Sequence, residues 1–261
     1  DQSVLDNAVL GLKTEYYNRG LYSVILTPTV TQLERNRVNI EITISEGSTA
    51  KIAEIDFTGN QVFKTNKLRD EMYLTTGNWL SWWFKDNQYS SDKLAGDIEK
   101  IRAFYLNQGY IDFRLNSIQV QLTPDKKSVY ITVNLKEGAQ YRYKSVKLAG
   151  DYRDIPVAEL ERLVTVKPGT IINQEVLNKN VEAIKTKIGD YGYAFANVNP
   201  IPEVDAKDKT VAYTLFVDTG RKIYVRNINI SGNDKTRDVV IRRELRQEEA
   251  ALYNAAAIKR S

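Results

Sequence analysis

Two residue types are missing from this chain of 261 residues altogether: cysteine and histidine. Without cysteine there are no disulfides and no thiol nucleophile. Without either there is no zinc site of the usual Cys/His type and no triad that uses imidazole as its base. The absence of cysteine suits reducing and oxidising compartments equally. No stretch approaches the ~18–20 apolar residues of a membrane-spanning helix, and no signal-peptide pattern opens the chain. A large excess of one charge is lacking too. The 37 Lys and Arg face 33 Asp and Glu, interspersed, for a net +4. The basic stripe that nucleic acid demands is therefore not visible, and the charge reads as an ordinary solvated surface.

What is present is core-forming material, 42% apolar and 10% aromatic residues, enough for one large domain or two to three small ones. The chain opens within a helical pattern and is expected to be a piece of something longer.

Self-similarity decides the organisation. Leu94, Ile98, Ile101 and Tyr105 lie on one helix face, and Gly109 follows as a natural C-terminal cap. The same stripe recurs as Leu177, Val181, Ile184, Ile188, then Gly192, and as Leu5, Val9, Leu12, Tyr16, then Gly20; the offsets are 83 and 89 residues at every position. A strand ending in a turn also recurs: Ile55, Phe57, Gly59-Asn60; Val146, Leu148, Gly150-Asp151; Ile228, Ile230, Gly232-Asn233. A third landmark is the alternating strand Val129, Ile131, Val133, Leu135 before Glu137-Gly138. It matches Val38, Ile40, Ile42, Ile44 before Glu46-Gly47, and Val211, Tyr213, Leu215, Val217 before Gly220.

Each unit reads strand, helix, helix, strand, strand over about 80–90 residues, an α+β module whose two helices cover one face of a three-stranded mixed sheet. Tyr130, Thr132 and Asn134 then belong to the open face. The expected division is 1–49, the back part of a module; 50–138 and 139–220, two complete modules; and 221–261, the front part of another. That last piece is expected to supply a strand and a helix from about Thr236 to Gln247 and to be poorly packed.

With the unit defined, the strings KLAGDIEKIRAFYLNQGYIDFRL (93–115), LTPDKKSVYITVNLKEG (122–138) and IRRELRQ (241–247) resemble the POTRA modules of the Omp85 superfamily of outer-membrane assembly proteins. Gly150-Asp151 departs from the usual Gly-Asn, which the turn tolerates. The resemblance implies the end of a second module, all of a third and fourth, and the beginning of a fifth, ahead of a membrane-embedded β-barrel that is absent here. It implies a periplasmic scaffold that receives unfolded outer-membrane β-barrel proteins and docks accessory lipoproteins, with no cofactor, no metal and no catalysis. A TamA-type relative within the superfamily is the alternative.

The physics of sheets points to where binding sits. An unpaired edge accepts a further strand, and the strand after the second helix is the expected edge. The first unit has Pro28 in it and the third has Pro200 and Pro202, which lack the N–H a partner needs. The middle unit runs Asn116 to Leu122 without proline. Ile118, Gln119, Val120, Gln121 and Leu122 are therefore the expected strand-addition site. The side chains of Ile118, Val120 and Leu122 are expected to face the core, and proline at Gln119 or Gln121 to weaken capture without unfolding. Beside it, all three tryptophans, Trp79, Trp82 and Trp83, fall in an insertion of about eight residues between the helices. They read as a partner contact or as a lid over the module's own core. The helix after Gly232 carries Arg242, Arg243, Glu244 and Arg246. By resemblance it docks a lipoprotein, with Arg243 and Glu244 as the candidates, against a solvated helix face as the plain reading.

An enzyme needs a nucleophile, a base and an orienting group, and no pair of carboxylates stands out. An RNA-binding array needs an aromatic RNP-type strand, which is missing; phosphate binding also weakens steeply with salt, whereas strand addition does not.

Overall fold

The computed structural model describes residues 2–35, 37–77 and 86–261. They fall into two compact units, residues 1–105 with 112–138, and residues 106–111 with 139–261.

The first unit opens with α1 (Gln2–Asn18), followed by β1 (Ile25–Leu33) and β2 (Arg37–Ser45) as an antiparallel ribbon with Ile25 opposite Ser45. This sheet has two strands, and Val38 and Ile40 stay 56% and 50% exposed. Their equivalents in the next module are buried, because a third strand and a second helix complete the layers there. That module runs β3 (Lys51–Thr58), α2 (Thr65–Asp70), α3 (Ser91–Asn107), β4 (Arg114–Leu122), β5 (Ser128–Lys136). Its strand order is β3-β5-β4, with β5 parallel to β3 and antiparallel to β4. Leu94, Ile98, Ile101 and Tyr105 of α3 are buried, as are Val129, Ile131, Val133 and Leu135 of β5. The helical period and the strand period thus supply the two sides of one core.

The second unit repeats the plan with β6 (Arg142–Asp151), α4 (Val157–Glu161), α5 (Gln174–Asp190), β7 (Asn197–Asp205) and β8 (Thr210–Asp218), in the order β6-β8-β7. Leu177, Ile184 and Ile188 join Leu160, Ile172, Val211, Leu215 and Val217 in its core. Each fully buried aliphatic side chain contributes about 1.5–3 kcal/mol. Asn173 caps α5 by accepting from the Val176 N–H at 3.0 Å. The turn glycines are required by crowding as well as by their positive φ. A Cβ on Gly59 meets the Leu135 carbonyl oxygen at 2.0 Å, and one on Gly150 meets that of Val217 at 2.1 Å. The Asn60 side-chain amide closes its turn by donating to the Phe63 carbonyl, whereas the Asp151 carboxylate, which has no N–H to give, accepts from the Arg153 N–H.

Beyond residue 220 the structure differs from expectation. No strand forms at Ile228–Ile230; residues 221–232 hold one isolated bridge, Tyr224 with Leu252. The first strand of a module pairs with its last, as β3 does with β5 and β6 with β8, and no such partner follows in these residues. The expected helix shortens to α6 (Asp238–Glu244), and neither it nor α7 (Ala255–Lys259) has a buried residue.

Candidate functional site

Two devices hold the first strand and turn in the modules that carry them. Glu137, 5% exposed, reaches back from the end of β5 to the loop after β3. Its carboxylate accepts from the backbone N–H groups of Gln61, Val62 and Phe63 at 2.8, 2.9 and 3.3 Å, and from the Tyr105 hydroxyl at 2.8 Å. The second device is an arginine. Arg69 in α2 donates from Nε to the Ile55 carbonyl at 2.5 Å, and Arg242 in α6 donates to the Ile228 carbonyl at 2.7 Å. Both arginines lie ten residues after their turn glycine. Arg242 also pairs with Asp238 and Glu249 at 2.6 and 2.9 Å. The Ile228 N–H, and then Arg242, hold the Glu249 carboxyl below its ordinary range.

The strand-addition candidate is β4. It is an edge strand, and its hairpin fixes which backbone groups face outward. The Thr123 N–H donates to the Ser128 carbonyl at 2.9 Å, so Gln121 and Gln119, alternating with it, also point their N–H groups toward β5. The outward groups are those of Ile118, Val120 and Leu122. Their cross-strand partners are Val133, Ile131 and Val129, all buried, so their side chains share the core-side face. They are nevertheless 37–38% exposed, because the layer above β5 does not extend fully over the edge. The side chains face the core side as expected but stay partly open, and one expectation is corrected: proline at Gln119 or Gln121 removes a ladder donor rather than an outward one.

The sister strands agree. Pro28 pairs with Ile42, and Pro200 and Pro202 pair with Leu215 and Tyr213. Matched through the central strands, Pro28 and Pro200 fall where Ile118 stands, and Pro202 where Val120 stands. The prolines remove donors from the outward side of β1 and β7, and β4 keeps them.

Of the other expected contacts, Trp79, Trp82 and Trp83 lie outside the described residues. Arg243 and Glu244 sit on α6, 78% and 72% exposed, with a loose 3.7 Å pairing. Sequence reasoning missed Arg69 and Glu137; the shared spacing of Arg69 and Arg242 from their glycines was the signal for the first. Among the described residues no group of three or more acidic side chains is placed to hold a metal ion, and no helix is long and apolar enough to cross a membrane.

The POTRA family model, described as "Surface antigen variable number repeat", matches residues 50–138, 141–220 and 223–261. The chain belongs to the POTRA family. Among similar POTRA proteins is the outer membrane protein assembly factor BamA of Neisseria meningitidis serogroup B. It is 44% identical over 261 residues, all of this chain and 33% of that protein. BamA of Buchnera aphidicola is 31% identical over 87% of this chain and 36% of its own length. The chain thus spans about a third of the length of these curated relatives. The crystal structure of Haemophilus influenzae BamA POTRA3-5 matches with a TM-score of 0.71 at 32% identity, covering 81% of this chain and 82% of that one. POTRA modules of this kind lie in the periplasm as part of an outer-membrane protein of Gram-negative bacteria.

Proposed function

We propose that this chain is a periplasmic scaffold of an outer-membrane barrel-assembly protein, and that β4 captures extended segments of unfolded outer-membrane proteins by strand addition. One observation carries the reading. The outward backbone groups of Ile118, Val120 and Leu122 are retained in the one edge strand of its class that has no proline, beside an apolar stripe left over a third exposed. A client strand satisfies that backbone edge and covers that stripe, so main-chain bonds provide affinity and alternate side chains provide selectivity. The work is holding and handing on, without chemistry. Residues 1–49, 50–138, 139–220 and 221–261 correspond in this reading to parts of the second, third, fourth and fifth modules. The aromatic insertion at Trp79, Trp82 and Trp83 adds a contact for a partner. Accessory lipoproteins dock on α6, where Arg243 and Glu244 are exposed and weakly engaged.

The test is the double substitution Ile118→Pro with Val120→Pro, which reproduces the sister strands. Capture of an unfolded barrel-derived peptide, read by crosslinking from position 119, is expected to fall about tenfold or more, with the melting temperature little changed. Undiminished capture in a folded double variant overturns the proposal.

A further inference from the structure

The other edge of the second unit's sheet, β6, lacks the cap its counterparts carry. Along β6 the Tyr143 N–H donates to the Thr170 carbonyl at 2.9 Å and the Tyr143 carbonyl accepts from the Gly169 N–H at 2.7 Å. The start of the strand is therefore covered. A register shift between Tyr143 and Ser145 follows, as one does between Ile52 and Glu54 in β3. The shift places the outward backbone groups on Val146 and Leu148, the equivalents of Ile55 and Phe57. In β3 the outward carbonyl of Ile55 is taken by Arg69, and at Ile228 the same carbonyl is taken by Arg242. Each arginine directly follows an apolar helix residue, Leu68 or Ile241. In α4 the corresponding leucine, one position further from its turn glycine, is Leu160, fully buried like Leu68, and the residue after it is Glu161, which lines the same groove as Val146. An ionised carboxylate has no donor to offer a carbonyl.

The consequence is an open groove of about 460 Å³ along β6, lined by Val146, Lys147, Leu148, Glu161, Val164 and Val166. Ile55 and Phe57 are 1% and 4% exposed, whereas Val146 and Leu148 remain partly open to solvent. The groove thus combines a strand edge unpaired among the described residues, apolar walls, and a carboxylate after the buried helix leucine where two sister modules have an arginine.

We propose that β6 is a second strand-addition site, whose occupant is an extended segment of another polypeptide with apolar residues at alternate positions and an arginine or lysine opposite Glu161. An extended backbone supplies the alternating donors and acceptors that Val146 and Leu148 present. Its apolar side chains cover the valine-lined walls. The cation restores in trans the pairing of positive group and outward carbonyl that Arg69 and Arg242 make in cis, and Glu161 strengthens its hold. An acidic strand is disfavoured by the same carboxylate.

The experiment uses the full chain carrying Ile118→Pro and Val120→Pro, which silences β4, so that failure here is distinguishable from failure of the β4 reading. The probe is a capped peptide of about ten residues, alternating valine and threonine around one central arginine. Amide hydrogen exchange at Val146 and Leu148 is followed by NMR. Exchange is expected to slow about tenfold or more on adding the peptide. Glu161→Arg, which installs the missing cap, is expected to return it to the peptide-free rate. Glu161→Ala, which leaves the edge open, is expected to keep the protection with affinity weaker by about twofold to fivefold. Val146→Pro is a second way to close the edge and is expected to abolish protection at Leu148. No slowing at either amide, or full protection retained in folded Glu161→Arg, overturns the proposal.

Discussion

Glu137 is a carboxylate that stabilises through the number of donors it satisfies. Three backbone N–H groups and a tyrosine hydroxyl converge on it; the buried hydroxyl left without an acceptor costs about 1–3 kcal/mol, and each of the less buried N–H bonds contributes about 0.5–1.5 kcal/mol. Glu137→Ala is therefore expected to destabilise the first unit by about 3–5 kcal/mol, and Glu137→Gln, which keeps one acceptor oxygen, by less. Urea unfolding of the two variants measures both. The pair Glu137-Gly138 was legible as a repeated landmark, but its role was not. Its backbone partners lie 74 to 76 residues earlier, and nothing local to Glu137 indicates them. The equivalent place in the second unit is held by Thr219, buried at 1% exposure, its hydroxyl without a partner among the described residues. The landmark's meaning is therefore not the same in every module.

At the scale of elements, the edge strands separate stability from binding. Because the N–H of Gln119 points into the sheet and that of Ile118 points out, proline has opposite consequences one residue apart. Gln119→Pro breaks a β4–β5 ladder bond and is expected to cost about 2 kcal/mol or more. Ile118→Pro is expected to change stability by less than about 1 kcal/mol. Thermal melts of the two single variants decide it, and equal losses contradict the register argument. The strand itself was legible from its alternation and from the absence of proline. The direction of its hydrogen bonds was not, since alternation of side chains assigns faces and leaves the donors' direction to the pairing register. The same limit explains the strand expected at Ile228 and Ile230. Its pattern is that of β3 and β6, yet a first strand forms only against the last strand of its module, and pattern cannot replace a missing partner.

At the scale of the whole molecule, the second unit is tied by a cluster that joins three distant stretches of chain. Asp154 accepts from Lys222 Nζ and from the Tyr193 hydroxyl, each at 2.6 Å. Lys222 first, and Tyr193 second, hold its carboxyl at about 2, below the ordinary 3.8. A folded-state pKa depressed in this way contributes stability that is present above pH 3.8 and is lost as pH falls toward 2. Glu159, held down by Lys187 and Tyr191, acts in the same direction, so the contribution of Asp154 is read as a difference. Melting temperatures of the parent chain are expected to fall more steeply than those of Asp154→Asn over that acid window. Parallel curves contradict the assignment.

By itself, the sequence determined the modular α+β architecture, the faces of its helices and strands, and membership of the POTRA family. Those properties reside in local periodicity and in glycines whose spacing repeats along the chain. Tertiary structure alone decided which edge groups point outward, which are capped by Arg69 and Arg242, and which are left open at β4 and β6. These depend on register and on side chains reaching between elements, and a shift of one residue along a strand exchanges an inward donor for an outward one.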